Sequence, residues 1–405
     1  MRGSRRDFNG TVIDLCSAWD HIDQSVIIDL ARRLIAFDTT NPPGNEEPAI
    51  RWLGSYLQTA GIPVTIQPLA AGRANLIARL PGAGQTGHLV LSGHMDVVPP
   101  GLGPWTYPPF AGEQVGDRLY GRGAADMKGG VAALAAAMIA LTRADFRPRG
   151  DLILVVTAGE EEGGLGARGL VESGALAGSA GLVVGEFTGL DVCIAHKGGC
   201  RLRITLHGKA AHSAMPHLGV NAVAAMAHLV TALQANPFSF TPHPLLGQST
   251  VSVTTISGGE KINVIPERCT IGVNIRTVPG QTLEGVLDET RRLLDTVTVD
   301  FGVRAEVESL GLLPVVTPRD HPLVDAAVAS VTSMRGVIPN IGGLPYGTDA
   351  LTLAPAYGLP FVIVGPGHFD QAHQIDEWVD VSELTQAARI YALLAQRILG
   401  DAPAE

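Results

Sequence analysis

Three short segments carry the residues with the most chemistry. Gly93-His94-Met95-Asp96 is followed by Gly123-Ala124-Ala125-Asp126-Met127-Lys128-Gly129-Gly130 and then by Glu160-Glu161-Glu162-Gly163-Gly164. Each places an imidazole or a carboxylate where an apolar run has just ended, beside glycines that let the backbone turn sharply. Side chains at i and i+2 of an extended segment point to one side, so His94 and Asp96 can face one site together. Asp126 stands in a Gly-rich turn leading into a helical run, where N–H groups at the helix start can steady its carboxylate. Glu186 ends another apolar strand, Gly181-Leu182-Val183-Val184-Gly185, and His373 lies in Ala372-His373-Gln374-Ile375-Asp376-Glu377 beyond a further one.

Taken singly, each has an ordinary reading: a structural histidine after a strand, an Asp N-cap, a solvated acidic loop. The recurrence of acidic groups at successive strand ends is what singles out a cation-rich centre, because adjacent buried carboxylates are costly without compensating cations. Carboxylate and imidazole donors together suit a dinuclear zinc site, with cobalt or manganese as substitutes.

The elements that must position these groups follow from hydrophobic periodicity. Helical spacing runs from Ser25 to Phe37 and, after the Pro42-Pro43-Gly44 break, from Glu46 to Ala60. Strand-like runs at Val64 to Pro68, Asn75 to Leu80 and His88 to Leu91 precede a long helix, Gly129 to Thr142, and a buried-type strand, Leu152 to Thr157. This alternation predicts an α/β domain with a sheet flanked by helices. The rhythm then changes to βαββαβ: strand Arg201 to His207, helix Asn221 to Gln234, strands Thr250 to Ile256 and Cys269 to Arg276, helix Leu283 to Thr296 and strand Val303 to Ser309. That is a ferredoxin-like order. The α/β pattern resumes with helices at His321 to Ser333 and Ser382 to Ile398 around a strand, Pro360 to Val364. The expected organisation is a discontinuous catalytic domain, residues 1–197 and 309–405, interrupted by an inserted domain, residues 198–308.

Composition sets outer limits. A chain of 405 residues, 46% hydrophobic and 17% charged, has ample apolar surface for two packed domains. Its net charge of −10 argues against nucleic acid and anionic membrane as partners, since both need clustered Lys and Arg. Cys16, Cys193, Cys200 and Cys269 show no CxxC spacing, which fits reduced, buried thiols in a cytoplasmic protein. Ser4-Arg5-Arg6-Asp7-Phe8 has the outline of a twin-arginine export signal, but Asp14 and Asp20 interrupt the segment where an apolar core should lie, so a polar N-terminal extension is expected. The longest apolar run, Val131 to Leu141, is too short to span a bilayer.

In combination the motifs are specific. SGHMDVVP (92–99), LYGRGAADMKGG (119–130), TAGEEEGGLGARG (157–169), VVGEFTG (183–189), AHKGG (195–199), GKAAHSAMP (208–216), NVIPERC (263–269) and GPGHFDQAHQIDEWV (365–379) resemble, in order, the successive motifs of the M20 family of metallopeptidases and amidohydrolases. The resemblance runs from about Asp38 to the C-terminus. It implies a zinc-peptidase-like catalytic domain with a mixed sheet, plus a lid and dimerisation domain in the ferredoxin-like insert.

Residue by residue, the resemblance implies that Asp126 bridges two Zn2+ ions, with His94 and Glu186 completing one and Glu161 and His373 the other. Asp96 becomes the partner that orients His94, and Glu160 the general base and acid. Three ligand carboxylates and a bridging hydroxide would balance two divalent cations. The Asp126–Met127 peptide is expected to be cis. His212 matches a histidine that reaches into a partner subunit's site and stabilises an oxyanion, so a homodimer is implied. Asn263 and Arg276 match positions that bind the substrate carboxylate, and Thr348 in Gly347-Thr348-Asp349-Ala350 adds a hydroxyl donor. Phe187 stands where the family usually has Pro, and Asn274 where it often has Asp; neither removes a ligand.

The implied activity is cleavage of the amide bond of an N-acyl amino acid by metal-activated water, with the lid closing over the substrate. AHKGG and the ADMKG form favour the acetylornithine deacetylase and succinyl-diaminopimelate desuccinylase branch over the carbamoyl-amide branch. A glutamate carboxypeptidase or dipeptidase acting on a short peptide is the alternative. A binding protein that kept the fold without catalysis would have lost a ligand or the Glu base, and this sequence keeps them all.

Overall fold

The computed structural model describes residues 16–401 together with two short paired strands, Arg5–Arg6 and Val12–Ile13. The stretch weighed above as an export signal lies largely outside the described residues, and so does the side chain of Cys16. The chain forms two compact units: residues 1–194, 317–342 and 348–405 make one, and residues 195–316 and 343–347 the other.

Continuous apolar runs become the centre of the first unit's sheet. Its strands lie in the order Val192–His196, Phe361–Ile363, Ser179–Val184, His88–His94, Leu152–Thr157, Arg73–Leu80 and Val64–Ala70. The four from Phe361–Ile363 to Leu152–Thr157 are mutually parallel, and the flanking pairings are antiparallel, so the sheet is mixed. All six residues of Leu152–Thr157 are buried, as expected of a strand covered on both faces. Parallel neighbours also bring their C-terminal ends to one edge, which is where ligands gather in such sheets.

The helices cover this sheet for reasons legible in their sequences. Gln24–Ile35 starts at Asp23, whose carboxylate accepts from the Ser25 N–H at 2.8 Å, and buries Ile27, Leu30, Ala31, Leu34 and Ile35 on one face. Gly129–Arg143 is different: every residue from Gly129 to Leu141 is buried. It packs against Gln24–Ile35 and Val381–Leu399, and a Leu wholly buried there contributes about 1.5–3 kcal/mol. Taken with the preceding turn, whose backbone is non-helical at Asp126 and Met127, the stretch Ala124–Arg143 is long and apolar enough to cross a membrane by length and composition, yet its apolar part is buried inside the protein.

The second unit follows the βαββαβ order. Strands Thr250–Gly258, Arg268–Thr277, Gly198–His207 and Arg304–Leu312 lie side by side in that order, all antiparallel. Burial along Arg268–Thr277 alternates residue by residue, so Cys269, Ile271, Val273 and Ile275 face one side. There they pack with Leu202, Ile204 and Leu206 and with Met226, Leu229 and Leu294 of the two helices, Ala222–Gln234 and Leu283–Phe301. Cys193, Cys200 and Cys269 are buried free thiols.

Several elements escape the periodicity reading. The strands Glu113–Val115, Arg118–Tyr120 and Trp378–Asp380 form a small separate sheet, each too short for a pattern to register. The helix Ala350–Tyr357 contains Pro355, which reads as a breaker in sequence.

Candidate metal centre

Strand ends build the site. His94 is the last residue of its strand; Glu160 and Glu161 follow Leu152–Thr157 after Ala158-Gly159; Glu186 follows Ser179–Val184 after Gly185. His373 lies in the loop after Phe361–Ile363, with a backbone φ of +64°. Asp126 occupies the turn between Gly123 and the long helix, and the Asp126–Met127 peptide is cis, as the resemblance implied. Gly130 is required where the helix starts: a Cβ there would lie 2.2 Å from the Gly185 carbonyl oxygen, so only glycine lets the helix press against the turn that carries Glu186.

These segments bring the five expected ligands together. His94 Nε2 lies 3.1 Å from Asp126 Oδ1 and 3.4 Å from Glu186 Oε1. His373 Nε2 lies 3.1 Å from Asp126 Oδ2 and 3.1 Å from Glu161 Oε1. The two oxygens of one carboxylate thus face two different imidazoles. Donor atoms of His94, Asp126 and Glu161 all fall within 4.8 Å of one another.

Asp96 ties these groups to one another by an arrangement the HxD spacing did not disclose. The His94 Nδ1–H donates to the Asp96 backbone carbonyl at 3.0 Å, while the Asp96 carboxylate sits farther off, at 3.5 Å. That carboxylate instead accepts from the N–H groups of Gly159, Glu160 and Glu161 at 2.9, 3.0 and 3.1 Å, and from Asn41 Nδ2 at 2.9 Å. One residue therefore orients His94 through its main chain and the Glu160-Glu161 turn through its side chain. The N–H groups before the long helix do not steady the Asp126 carboxylate, contrary to the sequence reading. Those of Gly123, Ala125 and Asp126 donate to Glu377, and the Asp126 side chain is left to the two histidines.

The electrostatics follow from crowding acids away from water. Burial pushes Glu186 up to about 7, with the Asp126 carboxylate adding to the rise. Glu160 is raised well above the usual carboxylate range by burial, then by Asp349, Glu161 and Glu186, which together outweigh the nearby His94. Asp349 is itself pushed up to about 6 by burial, although Thr157 Oγ1 donates to its carboxylate at 2.5 Å. Burial alone would lower His94, but Asp126, Asp96 and Glu186 raise it well above its ordinary value. The hydrogen-bonded Asp126 and Glu161 raise His373 to about 10. Burial opposes ionisation of Asp126 too, yet His373 and His94 hold it below its usual value.

This donor set fits a pair of divalent cations. Glu186 Oε2 is buried with no hydrogen-bond partner among the described residues, an orphaned acceptor that a cation would satisfy. Three carboxylates and two imidazoles around one point are hard-donor chemistry of the kind zinc, cobalt and manganese accept.

The remaining expected site residues are distributed differently. His212 and Asn263 are neighbours in the second unit: the strand Ala211–His212 pairs with Val264–Ile265, the Ser213 N–H donates to the Asn263 carbonyl at 3.0 Å, and both side chains are exposed. Arg276 is on a separate strand of that unit, opposite Gly199 of the AHKGG motif. Thr348 belongs to the first unit, where it is buried and its hydroxyl accepts from the Ala350 N–H at 3.2 Å. Phe187 is buried edge-on to Phe369, with ring centroids 5.9 Å apart.

Sequence reasoning overlooked the supports. Asn41 holds Asp96; Arg73, in a partly buried pair with Glu46 at 2.6 Å, packs under Gly159; Lys128, wholly buried, donates to the Phe37 carbonyl at 2.8 Å. Arg122 and Glu377 also belong to this set. Both stand inside motifs quoted above, LYGRG and QIDEW, which was the one available signal.

Fold and donor set together define a metal-dependent hydrolase, and the sequence comparisons agree. The profile of peptidase family M20/M25/M40 matches residues 90–397, and the chain belongs to that family. It is similar to a succinyl-diaminopimelate desuccinylase of Gluconacetobacter diazotrophicus, 33% identical over 92% of this chain and 97% of that protein. An acetylornithine deacetylase of Proteus mirabilis is 32% identical over 89% of this chain and 94% of its own. Among solved structures, a Bacillus subtilis protein described as a dinuclear metal-binding peptidase from family M20 shares the fold with a TM-score of 0.74 at 19% identity, over 94% of this chain and 99% of that one. The protein is thus a family M20 metallohydrolase acting on amide bonds.

Proposed function

We propose that this hydrolase is zinc-dependent and cleaves the amide bond of an N-acyl amino acid, of the deacetylase or desuccinylase type. The observation that carries this reading is the Asp126 carboxylate, whose two oxygens each meet a different imidazole at 3.1 Å, the geometry of a bridging ligand. His94 and Glu186 would hold one ion, and Glu161 and His373 the other. When bound, the ions supply Lewis acidity at the scissile carbonyl and lower the pKa of water.

The chain's own residues do the rest. Glu160 is anchored through its N–H to Asp96, and its carboxylate would take a proton from water and return it to the leaving amine. His212 donates to the oxygen that gains charge. Arg276 and Asn263 bind the substrate carboxylate, and Thr348 adds a hydroxyl. In this reading residues 198–308 act as a lid and dimerisation domain, the working form is a homodimer, and the enzyme is cytoplasmic. The similarity to curated desuccinylase and deacetylase sequences supports an acyl amino acid over a peptide.

The test is metal analysis with a substrate panel. About two zinc ions per chain and amine release from N-acetyl or N-succinyl amino acids are expected. Preference for glutamyl or dipeptide substrates would move the assignment to the carboxypeptidase or dipeptidase alternative, and a protein binding no divalent ion would refute the metal reading.

A further inference from the structure

The buried carboxylate of Glu377 does nothing in the mechanism above, yet it is among the most heavily engaged side chains in the first unit. It is 0% exposed. Its Oε1 accepts from the Ala125 N–H at 2.9 Å and the Asp126 N–H at 3.0 Å. Its Oε2 accepts from Arg122 Nη1 at 2.5 Å and from the Gly123 N–H at 3.1 Å. The main chain joins in: the Gly121 N–H donates to the Glu377 carbonyl at 2.9 Å, and the next residues, Trp378–Asp380, pair as a strand with Arg118–Tyr120.

Arg122 is equally committed. It is 2% exposed, its guanidinium lies 5.3 Å from the Trp105 ring, and its Nη2 donates to the Pro99 carbonyl at 3.4 Å. The adjoining Asp376 closes the other side, accepting from the Thr106 and Tyr107 N–H groups at 2.7 and 3.3 Å. One buried ion pair thus knits together segments some 250 residues apart, and the same short loop carries His373 four residues earlier. Two buried charges with this many charge-assisted bonds are costly to rearrange, so the pair favours one arrangement of both loops.

We infer that Glu377, braced by Arg122, is a positioning residue that holds the Asp126 turn and the His373 loop in register, so that both imidazoles meet one carboxylate. It touches no substrate. Replacing it by glutamine keeps the size and leaves an oxygen for Ala125 and Asp126, but turns an amide NH2 toward the Arg122 and Gly123 donors, where no acceptor remains.

The test combines a measurement on the metal-free protein with one on the cobalt-loaded protein, using E377Q in the full chain. In the metal-free protein, amide hydrogen exchange at Gly123–Asp126 should speed up at least tenfold, while exchange in Leu152–Thr157 stays unchanged. Affinity for Co2+, measured by chelator competition, should fall 10- to 100-fold, the usual cost of losing a residue that orients ligands, and the cobalt absorption bands should shift. Unchanged exchange at Gly123–Asp126, or wild-type cobalt affinity and spectrum in the folded variant, would overturn the inference. If E377Q does not fold, E377D, whose shorter carboxylate cannot span both halves of the cradle, is read by the same two criteria. The inference rests on the metal reading for its second arm only: a wild-type protein that takes up no cobalt would refute that reading, and the exchange arm would still decide whether Glu377 braces the turn.

Discussion

The two imidazoles that meet Asp126 stand in opposite surroundings. His94 ends a central strand, is 2% exposed, and has its far ring nitrogen fixed on the Asp96 carbonyl. His373 sits on a loop at positive φ, is 50% exposed, and meets Asp126 and Glu161 in the site. The sheet itself builds one half of the centre. A loop whose place depends on distant contacts supplies the other. The proposed His94–Glu186 side should therefore bind its ion more tightly, and the Glu161–His373 side should exchange its ion more readily.

Breaking the shared element should cost most. Asp126→Ala removes the group common to both halves, and metal content should fall from about two ions toward none with activity at background; a variant still holding both ions would sink the bridging role. Next comes Glu160→Gln, which leaves both halves intact and should lower kcat by about 10²- to 10⁴-fold with metal content unchanged. Full activity in that variant would mean that another group moves the proton.

Two single substitutions sharpen the contrast between the halves. His373→Ala should lose one ion while lowering the stability of the metal-free protein less than His94→Ala does, because the His373 side chain is half exposed. His94→Ala should weaken binding on its side and also lower stability, because it empties a buried position. Equal stability losses in the two variants, measured by denaturant unfolding without metal, would erase the distinction.

The smallest effect is a slope with pH. Without metal, the folded protein keeps a proton on Glu186 up to about 7, whereas the unfolded chain releases it near the usual 4.5. The folded state therefore binds more protons across that interval, and stability falls as pH rises through it. His373 acts in the same direction at higher pH: its contribution is complete below its usual 6.5 and is lost as pH rises toward about 10. Cations bind the deprotonated ligands, so metal-loaded protein should show the opposite trend between pH 5 and 8. Parallel melting curves with and without Zn2+ across that range would remove the argument that ions replace these protons.

What could be read from the sequence divides along the same line. The strand-end residues were visible because a polar group closing an apolar run is a local pattern, and the second unit's βαββαβ order was visible because its strands alternate cleanly. Periodicity also placed the long helices to within a few residues. Pairings across great sequence distance were not legible: Asn41 with Asp96, Glu46 with Arg73, Arg122 with Glu377. An isolated Asn or Arg in a loop has no spacing to betray it, and its role exists only once the chain has folded. The further contacts of the Asp96 side chain were hidden for the same reason, since three of its donors are backbone groups that no residue type advertises.

One contact described above sets a scale for the whole centre. With no side chain at Gly130, the first turn of the buried helix rests directly on the Gly185 carbonyl, so the offset between Asp126 and Glu186 is fixed by main chain against main chain. The seating of a helix on the turn after a strand thus sets how the two backbones carrying these side chains stand. A single methyl group at that point would act as a shim, shifting those backbones without touching the side chain of Asp126 or Glu186.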